Sequence, residues 1–344
     1  MIRFNCDYSE GAHPRILERM VETNYDQMPG YGEDPICDQA ADYIRRDCQL
    51  PNADVHFIVG GTQVNTIAIK ASLRPHQGVI APDTGHISTH ECGAIEATGH
   101  KILTLPNTDG KISAAQIRAY YEAHYADETH EHIVQPAMVY ISQPTESGSL
   151  YTRAELEAIH QVCQDNDLLL YIDGARMGYG LAAEDNDLDL PTLGRLCDAF
   201  YIGATKVGAL FGEALVINNP MLKKDFRYIL KQNGCRLAKG WLLGRQFQVL
   251  FEDGLYYELG KHAVSMAYKL RDGFAKKGYA FMCPSGTNQQ FPIIPNKDLE
   301  ILSKNYAYST WAPYDADHTI VRFCTSWATR EEDVDTFLKD LEAL

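Results

Sequence analysis

Seven short β-rich runs alternate with helical text through the first two thirds of the chain, and this alternation limits the fold more than any single motif. The runs are VHFIVG (55–60), GVIAP (78–82), KILTL (101–105), AMVYIS (137–142), LLLYID (168–173), DAFYIGA (198–204) and EALVIN (213–218). Several are apolar on both faces, as strands covered by helices on each side must be. Thr152 and Glu155 form a capping box before Leu156, Ile159 and Cys163, a helical stripe that leads straight into LLLYID. Helix followed by strand implies a parallel crossover, so the expected core is a seven-stranded, mostly parallel sheet. Only eight residues (205–212) separate the last two runs, too few for a helical crossover, so the final strand is expected to be antiparallel.

The character changes beyond the seventh run. Helical text spans Phe226 to Leu243 and Phe247 to Lys277, followed by NQQFPIIP and then by Thr329 with Glu332, read as the cap of a helix carrying Val334, Phe337, Leu338 and Leu341. This reads as a second, smaller α/β unit. The expected organisation is a large domain over 1–240, including the amino-terminal segment, and a small carboxy-terminal domain over 241–344. With 344 residues and 45% hydrophobic content, each can have its own core. No repeat or low-complexity linker separates them, so they are expected to pack together.

Charge and cysteine content narrow the partners. A formal net charge of −15 disfavours nucleic acid, which needs clustered Lys and Arg along its phosphates. Residues Met1, Ile2, Arg3, Phe4 and Asn5 do not read as a leader, and no apolar run approaches membrane-spanning length. A cytoplasmic protein with no membrane partner is expected. Nine cysteines, an odd number without a CxxC pair, indicate neither a disulfide framework nor a zinc knuckle.

Three constellations carry chemistry. In VGGTQVNTIAIKASL, Gly60 and Gly61 let the backbone turn sharply, and Thr62 can cap a helix whose free N–H groups and dipole favour an anion. The stretch is a phosphate cradle or simply a tight turn. In YIDGARMGYG, Asp173 ends a parallel strand, the place where doubly wound sheets bind ligands. It faces a site, or it caps a helix and pairs with Arg176. A loose dinucleotide reading of Gly178, Gly180 and Ala183, with Asp198 onward, fails because DGARM occupies the turn. In FYIGATKVGALFG, Lys206 is crowded by small residues and is either solvated or reserved as a desolvated amine, a good imine former. Taken together, the three match what pyridoxal phosphate needs: a phosphate cradle, a carboxylate to keep its ring nitrogen protonated, and an amine for its aldehyde.

The chain resembles the threonine aldolase family, within the type I, aspartate-aminotransferase-like fold of pyridoxal-phosphate enzymes, over nearly its whole length. YGEDP (31–35), GGTQVN (60–65), HISTHECGAIE (86–96), DGAR (173–176), ATKVGA (204–209) and VRFCTSWAT (321–329) occur in the family's order. The TExGSxYT style of residues 145–152 and the GATK before the lysine resemble the branch that includes phenylserine aldolase. The resemblance implies an aldehyde-lyase that binds a small amino acid substrate and cleaves β-hydroxy-α-amino acids such as L-threonine and L-allo-threonine to glycine and an aldehyde. It implies that Lys206 forms the Schiff base, Asp173 pairs with the pyridine nitrogen, and Gly61 and Thr62 hold the phosphate. His86 should stack on the ring and serve as a base. Arg176 should lie near the ring's phenolate oxygen or the substrate carboxylate, and Arg322 should grip that carboxylate as a bidentate fork. Tyr31 is expected to reach a cofactor phosphate across a homodimer or homotetramer interface, with Arg236 or Lys239 assisting.

Two departures bear on the substrate. Cys6, in FNCDYSE, stands where many members have a substrate-contacting Ser, and Thr145 stands where many have a second histidine that reads the β-hydroxyl. A bulkier, aryl β-substituent is therefore an alternative, as is another elimination or transamination reaction on the same scaffold, or a nicotinamide-binding protein using the same sheet. His124, His130 and His132 in HYADETHEH read as a solvated loop rather than a metal site. DNDLDLP lacks the glycine and glutamate of a calcium loop.

Overall fold

The seven runs form one sheet in the computed structural model, which describes residues 1–344. From edge to edge the strands are Asp54–Ile58, Glu213–Ile217, Ala199–Gly203, Leu169–Asp173, Gln135–Ser142, Gln77–Pro82 and Ile102–Leu105. Glu213–Ile217 is antiparallel to both its neighbours, as the short connection requires, and every other pairing is parallel. Strand alternation sends successive side chains to opposite faces. Ile80, Val139, Leu170, Ile172 and Phe200 enter one core, while Val79, Met138, Tyr140, Tyr171 and Tyr201 enter another. Helices cover both faces, which is why the runs are apolar throughout.

Local signals set most helix ends. Thr152 Oγ1 accepts from the Glu155 amide at 3.2 Å while Glu155 Oε2 accepts from the Thr152 amide at 2.8 Å, the expected capping box for Arg153–Asp165. Three expectations are corrected. The helical text after residue 226 is not continuous: Phe226–Gln232 stops before Gly234 (φ 74°), Trp241–Glu252 follows a loop, and Leu255–Lys277 begins beyond Gly254 (φ 76°). Left-handed glycines cannot continue a right-handed helix. Thr329 does not cap the last helix, Glu331–Ala343: its Oγ1 turns back to accept from the Ser326 amide at 2.7 Å, leaving Arg330 at the cap position. His124 lies on the helix Ala114–Ala126, where its burial completes one face, rather than in a loop.

The carboxy-terminal part builds a small antiparallel sheet in the order Ile293–Pro295, His318–Cys324, Ser309–Pro313, with Gln289–Gln290 also paired to the middle strand. Its core gathers Phe4, Phe274, Phe323 and Phe337. The long helix Leu255–Lys277 serves both units: Tyr256, Leu259 and Ala263 belong to the large core, Leu270 and Phe274 to the small one. The amino terminus joins the small unit, since Ile2–Arg3 pairs in parallel with Tyr306–Ala307. No helix is long and apolar enough to cross a membrane.

Candidate active site

The functional side chains collect where the parallel strands end. Gly60 follows one strand, Ser142 and Asp173 close two others in direct register, and Lys206 lies just past a fourth. Glu213 starts its antiparallel strand at this same edge, opposite both Ile58 and Gly203. Two cavities open there. A larger one of about 820 Å³ is bordered by His86, His90, Arg322, Tyr8 and Trp311. A smaller one of about 220 Å³ is bordered by Gly60, Gly61, Thr62, Asp173, Tyr201 and Glu213. Lys206, His86, Arg176 and Glu146 line both, so the two form one continuous space.

Asp173 is buried, and its carboxylate is fixed from three directions. Asn65 Nδ2 donates to Oδ2 at 2.9 Å, the Tyr140 hydroxyl donates to the same oxygen at 2.7 Å, and the Ala175 amide donates to Oδ1 at 3.0 Å. Burial alone would raise its pKa, but the His86 charge and these hydrogen bonds outweigh it, and Asp173 stays below the ordinary carboxylate value. The result is a preformed anion at the floor of the smaller cavity. Asn65 is itself fixed, accepting from the Tyr171 hydroxyl at 2.8 Å and donating to Glu91 Oε1 at 2.7 Å.

The Lys206 amine makes no hydrogen bond or ion pair with the protein. Desolvation and the nearby Arg176 charge lower its pKa, against the opposing pull of Asp7, Glu213 and Asp173. Arg176 is already engaged: its Nε and Nη2 donate to the two oxygens of buried Asp7 at 2.7 and 3.0 Å. Arg322 is not neutralised in this way. Its Nη1 reaches Gln289 Oε1 at 3.4 Å and its Nη2 the Asn5 carbonyl at 3.2 Å, its Nε has no partner, and its guanidinium lies 5.6 Å from the Trp311 ring centre. With only neutral partners, it is the unpaired guanidinium on the wall of the larger cavity.

His86 opens a short helix, His86–Thr89, and its Nδ1 lies 2.8 Å from Glu91 Oε1. Burial lowers its pKa, but the Glu91 hydrogen bond and the Asp173 charge prevail, so the imidazole is shifted upward. Glu146 Oε1 accepts from the His86 amide at 3.0 Å and from Ser142 Oγ at 2.7 Å, while its Oε2 is buried without a partner.

The site therefore brings together Lys206, Asp173, His86, Arg176, Arg322, Gly61 and Thr62. Thr62 is the second residue of the helix Gly61–Ser72 rather than its cap; that position belongs to Gly60, in extended backbone with no side-chain cap. Four expected residues lie outside these two cavities. Cys6 lines neither cavity, because its Sγ turns to Ser9 Oγ at 3.1 Å, and Tyr8 faces the space instead. Tyr31 lies in a separate surface cleft beside Arg236, with Lys231 Nζ 4.2 Å from its ring centre. Arg236 pairs with Glu33 at 2.7 Å, and Lys239 lines neither cavity. Asn65, Glu91, Tyr140, Glu146 and Asp7 escaped the sequence reading. Asn65 left one trace, a polar residue in the middle of the apolar helical face Val64, Ile67, Ala68.

These residues fit pyridoxal phosphate. The helix at Gly61 presents uncapped first-turn amides. A Cβ on Gly60 would meet nothing within 4 Å, whereas one on Gly61 would sit 3.0 Å from the Tyr201 hydroxyl, so the cradle is open on one side and tight on the other. Asp173 supplies a fixed anion, and Lys206 a free amine, on the same space.

Comparison with known proteins agrees with this arrangement. The beta-eliminating lyase family model matches residues 6–296. A low specificity L-threonine aldolase of Pseudomonas sp. (strain NCIMB 10558) is 31% identical over 350 residues, covering 99% of this chain and 97% of that protein. Among solved structures, a threonine aldolase of Leishmania major superposes with a TM-score of 0.97 at 47% identity, covering 100% of this chain and 99% of the other. A Thermus thermophilus aspartate aminotransferase double mutant shares the fold alone, with a TM-score of 0.73 at 15% identity over 100% of this chain and 92% of its own.

Proposed function

The chain belongs to the beta-eliminating lyase family, beside the threonine aldolases, and on that premise we propose that it is a pyridoxal-phosphate-dependent aldolase cleaving β-hydroxy-α-amino acids, L-threonine and L-allo-threonine among them, to glycine and an aldehyde. The observation that carries this reading is the pairing of an unpartnered Lys206 amine with the buried Asp173 carboxylate on one continuous space.

Each residue has a task that follows from its surroundings. Lys206, whose pKa desolvation lowers, would be the nucleophile for the cofactor's aldehyde. Asp173 holds the proton on the ring nitrogen. The amides of Gly61 and Thr62 would receive the phosphate, and His86, on the wall shared by the two cavities, would cover the ring. When bound, pyridoxal phosphate supplies an electron sink next to the substrate's Cα. Arg322, whose charge has no acid to satisfy it, takes the substrate carboxylate and thereby fixes which bond at Cα faces the reacting side. Arg176, already paired with Asp7, stiffens the site and leaves the carboxylate to Arg322.

Tyr8, Trp311 and Met282 on the outer wall of the larger cavity favour a second substrate class, β-aryl amino acids such as phenylserine. Exposed Leu17, Val21, Tyr25 and Leu210 support a homodimer or homotetramer, which sedimentation of the loaded enzyme measures. Nine unpaired cysteines support a reducing, cytoplasmic setting.

A retro-aldol assay over L-threonine, L-allo-threonine and phenylserine tests the function. Glycine and aldehyde are expected in equal amounts from at least one of them, and Lys206→Ala should lose more than the about two to four decades one acid or base contributes. Ammonia with a keto acid, and no glycine, would point to elimination and refute the aldolase reading.

A further inference from the structure

On the aldolase reading just given, the geometry points to His90, rather than His86, as the base that takes the proton from the substrate's β-hydroxyl. The two histidines lie four residues apart on one short helical turn, where i and i+4 side chains share a face. The His90 amide donates to the His86 carbonyl at 2.9 Å, and the ring centres are 5.6 Å apart. Both rings line the larger cavity, together with Lys206 and Arg322.

Their partners differ. His86 Nδ1 is held by Glu91, whose Oε1 is also held by Asn65, and the Asp173 carboxylate lies behind it. That cluster of buried acids favours the proton-loaded ring. An imidazolium has two N–H donors and no lone pair, so it can steady a developing anion but cannot accept a proton. The His90 ring has no hydrogen bond and no ion pair. It is exposed at the mouth of the cavity. The groups that face it are His86 on its own turn and Arg322 on the strand His318–Cys324, whose positive charge disfavours a second one on His90, with Asp109, Glu146 and Lys206 across the space. Partial desolvation and the positive charge of His86 and Arg322 lower its pKa, which favours the neutral ring with a free lone pair. His86 and His90 thus divide the work: the first is held by acids that favour its protonated form, the second is free of partners.

The step balances. A ring nitrogen of His90 takes the hydroxyl proton, the O–H electron pair becomes the second bond of the departing aldehyde, and the Cα–Cβ pair stays with Cα, which takes up one proton to give glycine. The proton on His90 passes to water at the mouth. This also accounts for Thr145 standing where relatives are expected to carry a second histidine: His90 supplies an imidazole to the same space from another element.

The test uses the loaded enzyme and L-threonine. His90→Asn should lower kcat by about two to four decades with little change in KM. The acid limb of its kcat/KM profile, which reports the base of the free enzyme, should vanish. Added imidazole should restore part of the rate to His90→Ala, an outcome a purely structural role does not produce. A His90→Asn rate within about threefold of wild type, well short of two decades, or an acid limb that survives there and is lost in Glu146→Gln, would overturn the proposal. A second measurement needs neither cofactor nor turnover: NMR titration of the histidine rings should find His90 below the ordinary histidine value and His86 above it, and the reverse order would overturn the assignment. A wild-type enzyme that releases no aldehyde counts against the aldolase reading itself, while the ring titrations still decide which histidine is the competent base.

Discussion

Glu213 shows how one residue's surroundings set its chemistry. It begins its strand at the site edge, accepts from Thr205 Oγ1 at 2.8 Å and from the Ala204 amide at 3.2 Å, and lines the smaller cavity with Lys206. Burial raises its pKa to about 8, with the Thr205 hydrogen bond pulling the other way. Between the ordinary glutamate value and about 8, the folded chain therefore holds a proton that the unfolded chain has released. Its contribution to stability is complete in acid and declines as pH rises through that window. Thermal unfolding of the cofactor-free chain should accordingly show a stability loss toward pH 8 that Glu213→Gln flattens; an unchanged slope in the variant would refute the assignment. At this scale Lys206, Asp173, His86 and Arg322 were legible in the sequence because each follows a strand or sits in a distinctive motif. Asn65, Tyr140 and Glu91 were not, since what makes them functional is contact across separate elements, which the order of residues does not encode.

Among the elements, periodicity was the reliable signal and capping the ambiguous one. The seven strands and the antiparallel turn of the last follow from run lengths and connection lengths. The box at Thr152 formed, but Thr329 with Glu332 has the same spacing and did not, because the loop from Ser326 recruits the Thr329 hydroxyl for its own turn. A competing local turn decided between them. The turn at Gly60 and Gly61 is where an element end becomes a binding device, and its tolerance is asymmetric. A side chain at Gly61 would press on the Tyr201 hydroxyl, 3.0 Å from its Cβ. Gly61→Val should weaken pyridoxal phosphate binding by roughly tenfold or more, a loss of about 1.4 kcal/mol, with the circular dichroism of the cofactor-free chain unchanged. Equal cofactor affinity in both proteins would mean that the phosphate is held elsewhere.

At the scale of the molecule, the site depends on both units. Asp7 arrives from an amino-terminal segment that pairs with Tyr306–Ala307 of the small unit, accepts from Arg176 of the large unit at 2.7 Å, and accepts from Asn288 of the small unit at 2.9 Å. Arg322 reaches the space from the small sheet, while Lys206 and Asp173 reach it from the large one. On the proposed reading, substrate carboxylate and cofactor are therefore held from opposite sides of one boundary. That the amino terminus crosses to the far unit was not visible in the sequence, because a two-residue strand such as Ile2–Arg3 has no periodicity to read. The account as a whole rests on the Lys206 amine and the Asp173 carboxylate holding one ring between them. Borohydride reduction of the enzyme loaded with pyridoxal phosphate, followed by peptide mass mapping, tests this most directly. The account predicts the added mass on Lys206 alone, and no label in Lys206→Ala; a label on another lysine, or a loaded wild-type enzyme that takes none, would contradict it.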